Sequence, residues 1–166
     1  MRTDKVYLVG FMGAGKSTVA RALGRRLDWR VEDIDDRIEA REGRTVASIF
    51  ARDGEAYFRS VERKVLLDLL PLRHAVVATG GGTFVDPENR VAINRDGLSV
   101  WLDVPLPELI RRLPADGRRP LAADREQLER LYALRTLAYQ QAALRLDAES
   151  TPVEGLVEQM LDVIVR

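Results

Sequence analysis

Gly10-Phe11-Met12-Gly13-Ala14-Gly15-Lys16-Ser17 fits the pattern G-x-x-x-x-G-K-[ST], and the fold is read outward from it. The glycines let the backbone turn sharply and aim its N–H groups at phosphate oxygens. In this phosphate-binding loop the lysine reaches β- and γ-phosphates, and the Ser17 hydroxyl can ligate Mg²⁺. Residues 6–9 before the loop read as a short buried strand. Residues 17–27 after it read as a helix with apolar Val19, Ala20, Leu23 and Leu27. Strand, loop and helix are the context the motif requires, and the helix adds its positive N-terminal end.

Strand-like and helix-like stretches alternate through the rest of the chain. Further strands are expected over 30–32, 75–78, 98–102 and 144–148. Helices are expected over 36–41, 54–70, 87–94 and 126–145. A last helix is expected over 152–165, with Thr151 as its N-cap and Pro152 in its first turn. Alternating β and α in a short chain predicts an α/β fold with a parallel sheet covered on both faces. Ligands bind such sheets at the carboxyl ends of the strands. The phosphate loop, Asp33-Ile34-Asp35 and Gly80-Gly81-Gly82 each follow an expected strand, so all three should meet at one sheet edge.

The bulk numbers narrow the function. The 166 residues are 46% hydrophobic and 31% charged, as in a soluble globular chain of one domain. Lys and Arg number 26 and so do Asp and Glu, so no net charge favours nucleic acid or an anionic membrane as a partner. Absence of cysteine excludes disulfides and thiolate chemistry, which is compatible with a cytoplasmic protein. The N-terminal apolar stretch is too short for a signal peptide or a membrane span. His74, the single histidine, sits beside Arg73 and reads as a surface residue, so zinc chemistry and a Ser-His-Asp triad have little to build on.

A phosphate loop names the donor and leaves the acceptor open. Asp33 and Asp35 straddle Ile34. In extended geometry both carboxylates face one side, where one could hold Mg²⁺ and the other accept a hydrogen bond from an attacking hydroxyl. Spacing alone equally allows a capping pair for the next helix. Arg59 and Glu62 share a helical face and, as a bare pair, read as a solvated salt bridge. The three glycines at 80–82 permit close backbone approach to a ligand or simply a flexible connection. Arg118-Arg119-Pro120, in a segment without helical pattern, fits either a lid over phosphates or an ordinary exposed loop. Arg135, taken alone, passes for a surface arginine.

Together these residues resemble the shikimate kinase family over essentially the whole chain. The resemblance rests on 10–17, Asp33-Ile34-Asp35 and Ile49-Phe50. It continues through Gly54-Glu55-Ala56-Tyr57-Phe58-Arg59 with Glu62, Ala78-Thr79-Gly80-Gly81-Gly82, Arg119-Pro120-Leu121, and Arg135 four residues before Tyr139. It implies a three-layer P-loop kinase fold: a five-stranded parallel sheet flanked by helices, in one domain over 1–166, with a mobile lid at about 113–124. It also implies transfer of the γ-phosphoryl of ATP to the 3-hydroxyl of shikimate, with Mg²⁺, in chorismate and aromatic amino-acid biosynthesis. The alternatives are a gluconate-type kinase on the same fold and a catalytically idle nucleotide-binding domain.

The resemblance also implies roles by position. Gly13, Ala14, Gly15, Lys16, Ser17 and Thr18 bind ATP, with Arg112 and Pro152 near the adenine. Ser17 and Asp33 serve the metal. Asp35 binds shikimate hydroxyls and orients or takes the proton of the attacking one, and is expected to stay ionised. Arg59 and Arg135 hold the shikimate carboxylate. Glu62 orients Arg59, Phe50 and Phe58 wall the site, and Gly80, Gly81 and Gly82 line it. Arg119 swings in from the lid as a third catalytic group beside Lys16 and Asp35. Leu137 stands where the family usually has proline, which bears on how Arg135 is placed. With no exposed apolar stripe in the pattern, a monomer is expected.

Overall fold

In a computed structural model the chain is described over residues 3–113 and 122–165. Its centre is β1 (Lys5–Val9), whose five residues are all buried. Flanking it are β3 (Ala75–Ala78) and β4 (Leu98–Asp103), and outside those lie β2 (Arg30–Asp33) and β5 (Leu144–Asp147). The order is β2-β3-β1-β4-β5 and every neighbouring pair is parallel. A parallel strand covered on both faces must be apolar throughout, and Val6-Tyr7-Leu8-Val9 and Ala75-Val76-Val77-Ala78 meet that demand. The predicted five-stranded parallel sheet is therefore present.

Helices cross over between the strands: α1 (Lys16–Leu27), α2 (Ile34–Glu42), α3 (Val46–Leu69), α4 (Pro87–Asp96), α5 (Leu106–Arg111), α6 (Ala122–Tyr139) and α7 (Val153–Ile164). The chain moves from β1 to β2 in one direction across the sheet, and from β3 to β4 in the other. Right-handed crossovers therefore put α1 and α4 on opposite faces. Helix α7 returns to pack against α1. Among the described residues no helix is long and apolar enough to cross a membrane.

Several boundaries differ from the sequence expectation. Helix α3 begins eight residues before Gly54, capped by Thr45, whose side chain accepts from Ser48 N–H; Gly54 then breaks it with φ 83° and ψ 175°. Helix α6 ends at Tyr139 rather than running on to 145. The apolar residues that follow suit helix or strand equally, and pairing with β4 decides for strand. Helix α7 has Pro152, not Thr151, as its N-cap: no side chain caps it, and Leu156 N–H donates to the Pro152 carbonyl. Helix α5 and a 3₁₀ turn at Thr83–Val85 have no counterpart in the expectation.

The end of the sheet opposite the phosphate loop holds a buried charge. Lys5, with no exposed surface, lies 2.7 Å from Asp96 Oδ2 and also donates to the carbonyls of Leu69 and Leu70. Tyr7 Oη donates to the same carboxylate at 2.5 Å, and Arg73 pairs with its other oxygen at 2.6 Å. Burial would raise the Asp96 carboxyl, but hydrogen bonds from Lys5, Tyr7 and Arg73 outweigh it and hold it below its usual range. The stability it contributes is therefore present at neutral pH and is lost as acid protonates it. Replacement Asp96→Asn strands the Lys5 ammonium and should cost ~3–5 kcal/mol of unfolding free energy, read from denaturant midpoints. The double change Lys5→Met with Asp96→Asn should restore much of that loss; an equal or larger loss would contradict the pairing.

Candidate active site

The phosphate loop follows β1 and opens α1 directly. Gly13 and Gly15 adopt φ of 83° and 95°, conformations that only glycine takes without strain. Lys16 Nζ folds back onto the loop, donating to the carbonyls of Gly10 at 2.6 Å and Phe11 at 3.0 Å. Burial lowers the Lys16 pKa to about 8, opposed by the negative charge of Asp35. Beside the loop a cavity of about 450 Å³ is lined by Ala14, Gly15, Thr18, Arg112 and Pro152, among others. Arg112 is fixed there by Glu108 at 3.2 Å and by the Ala148 carbonyl at 3.2 Å.

Asp33 and Asp35 are not an extended pair. Asp33 ends β2, while Asp35 lies in the first turn of α2. Asp33 caps the next helix and also faces the phosphate loop. Its Oδ1 accepts from Asp36 N–H at 3.1 Å as the helix cap, and its Oδ2 accepts from the Ser17 hydroxyl at 2.8 Å. Asp35 turns instead toward the glycine triplet, with Oδ1 2.9 Å from where a Cβ on Gly80 would stand. Burial first, then the charges of Asp33 and Glu62, raise its pKa to about 6, with Lys16 pulling the other way. Asp35 is thus still mainly ionised at neutral pH, but much less firmly than an ordinary carboxylate.

A second, smaller cavity of about 200 Å³ adjoins the loop. It is lined by Asp35, Phe50, Phe58, Arg59, Glu62, Gly80, Gly81, Gly82 and Arg135, joined by Met12 and Val46, which sequence reasoning passed over. Phe50 and Phe58 stack with centroids 4.6 Å apart and form one wall. Arg59 is not half of a solvated pair. Its partner Glu62 is 1% exposed, and Arg59 Nη1 reaches both carboxylate oxygens at 3.0 and 3.2 Å. The glycines let both arginines come close: a Cβ on Gly81 would lie 2.8 Å from Arg135 Nη1, and one on Gly82 2.5 Å from Arg59 Nη2, so a side chain at either position would push a guanidinium aside. Two guanidinium groups therefore lie against one stretch of backbone.

Arg135 is not a surface residue: it lines this cavity, with Leu137 two residues further along α6. Its guanidinium stands 5.6 Å from the Phe11 ring centroid, and Tyr132 packs edge-on against the same ring at 5.4 Å. Tyr132 Oη donates to the Val104 carbonyl and Tyr139 Oη to the Gly81 carbonyl. These contacts dock α6 on the phosphate loop and the glycine triplet, while Leu137 is 63% exposed on the far side. His74 is exposed, as expected, with its ring edge-on to Trp29. Arg118, Arg119 and Pro120, in the segment expected to be a lid, lie outside the described residues.

The chain is similar to known proteins along nearly its whole length. The sequence pattern of the shikimate kinase family matches residues 12–165. The shikimate kinase of Synechococcus elongatus is 44% identical over 163 residues, covering 96% of this chain and 85% of its own length. That of Persephonella marina is 39% identical over 157 residues, covering 94% and 96%. The solved structure of shikimate kinase from Acinetobacter baumannii in complex with shikimate superposes with a TM-score of 0.89 at 32% identity, over 98% of this chain and 93% of that one. With a phosphate loop, a carboxylate and two arginines gathered at one sheet edge and these relatives along its whole length, the chain belongs to the shikimate kinase family.

Proposed function

We propose that this chain transfers the γ-phosphoryl group of ATP to the 3-hydroxyl of shikimate, giving shikimate 3-phosphate and ADP. One observation carries the reading: Arg59, Arg135 and Asp35 converge on a cavity of about 200 Å³ that borders the phosphate loop. Pockets for drug-sized ligands run to ~300–1,000 Å³, so this one suits a compact acid. Two guanidinium forks select a carboxylate. Asp35, on the loop side, takes the hydroxyls.

Each remaining residue then has a task. The backbone of 13–18 and Lys16 cradle the phosphates, and the adenine lies between Arg112 and Pro152. The Ser17 hydroxyl and Asp33 carboxylate, 2.8 Å apart, are the hard oxygen donors that Mg²⁺ accepts, and they would hold it. Bound there, the ion would draw charge from the β- and γ-phosphates. The acceptor oxygen attacks the γ-phosphorus, the bond to the ADP oxygen breaks, and the hydroxyl proton passes to Asp35. Lys16, with Arg119 of the lid, stabilises charge on the phosphoryl in flight. The chain is taken to act as a monomer in the cytoplasm on small, freely diffusing substrates.

The test is ADP release from MgATP with shikimate, with gluconate and with no acceptor, the product being weighed by mass spectrometry. Release with shikimate alone is expected; release with gluconate alone would overturn the acceptor. Arg135→Ala should weaken shikimate binding by about 1.5–3 kcal/mol, the worth of a charged hydrogen bond, leaving the KM for ATP unchanged. Because Asp35 must be ionised to receive the proton, kcat/KM for shikimate should rise with pH around a midpoint near 6. A midpoint near the ordinary carboxylate value of 3.8 would separate that limb from Asp35.

A further inference from the structure

Thr83 follows the glycine triplet and has no exposed surface. It closes a tight turn on Gly80 twice over. Thr83 N–H donates to the Gly80 carbonyl at 3.3 Å, and Gly80 N–H donates to Thr83 Oγ1 at 2.9 Å. With a lone pair of Oγ1 taken by Gly80, the hydroxyl proton is left for the neighbouring acceptor, Glu62 Oε2, at 2.9 Å. The Asn89 side chain holds the Thr83 carbonyl at 3.2 Å and fixes the turn from behind. A continuous chain results, from Gly80 N–H through Thr83 to Glu62 and on to Arg59 Nη1.

Resting on the reading that Arg59 holds the acceptor's carboxylate, we propose that Thr83 is a positioning residue for that acid. It sets the Glu62 carboxylate, which in turn aims the Arg59 guanidinium. Glu62 is buried and has few ways to satisfy its oxygens. Without the hydroxyl, the Gly80 amide loses its side-chain partner and Glu62 Oε2 keeps only the Arg59 guanidinium at 3.2 Å, so both groups shift to find others. Arg59 moves with Glu62. The nucleotide side, built on the phosphate loop and Arg112, does not share this chain.

The experiment is steady-state kinetics of Thr83→Val, Thr83→Ser and Arg59→Ala, each with its thermal midpoint. Thr83→Val should raise the KM for shikimate by about tenfold, the scale of one disrupted charge-assisted hydrogen bond, and leave the KM for ATP unchanged. Thr83→Ser keeps the hydroxyl and should keep the wild-type KM for shikimate. If Arg59→Ala raises that KM while Thr83→Val lowers only the thermal midpoint, the positioning role is overturned and the reading of Arg59 stands. If neither variant raises it, both fall together. A serine variant as impaired toward shikimate as the valine one also overturns the proposal. Should Thr83→Val not fold, Thr83→Ala takes its place with the same readouts.

Discussion

The register of three parallel strands governs everything at the functional edge. Leu8 of β1 is level with Ala78 of β3, and Ala78 is level with Asp33 of β2. Two residues further along the chain, just past each strand's end, stand Gly10, Gly80 and Asp35. The phosphate loop, the glycine triplet and the Asp35 carboxylate therefore emerge at one height. Thr79 locks the pairing at the rim, where its N–H and its hydroxyl both donate to the Leu8 carbonyl, at 3.1 and 2.8 Å. A slip of one residue between β1 and β3 would turn their side chains to the wrong faces and separate the two loops.

On that platform the chemistry is an arrangement of charges in a partly desolvated cleft. Burial, and to a lesser extent the nearby Arg135, disfavour the charge on Lys16, and Asp35 offsets part of that. Burial, then the charges of Asp33 and Glu62, push Asp35 toward the protonated form. A general base works best with a pKa not far below the working pH, and this environment moves Asp35 in the direction that its proposed role requires. The buried cluster of Lys5, Tyr7, Asp96 and Arg73 lies at the other end of the strands. Its role is to hold the sheet.

Much of this was legible in the sequence. The phosphate loop announces itself because its chemistry demands glycines and a lysine at fixed spacing. The central strands announce themselves because burial on both faces forces continuous apolar runs. Residues whose role depends on a distant partner were harder. Arg135 looks like any helical arginine until Phe11 and Tyr132 dock its helix. Glu62 looks solvated until Thr83 covers it. Asp33 allows two readings because one of its oxygens caps α2 while the other meets Ser17. Lys5 gives no signal at all, since a lysine at a strand start is ordinarily exposed and only Asp96, far along the chain, makes its burial tolerable. The segment before Gly54 is too short for its periodicity to stand out, and the glycine hides its continuity with α3.

The most direct test of the account is a crystal structure of the protein with MgADP and shikimate bound together. The account predicts the shikimate carboxylate between Arg59 and Arg135, ring hydroxyls on Asp35, and the reacting hydroxyl turned toward the phosphate loop. A shikimate seated with its carboxylate away from both arginines, or with Asp35 out of reach of every hydroxyl, would contradict it.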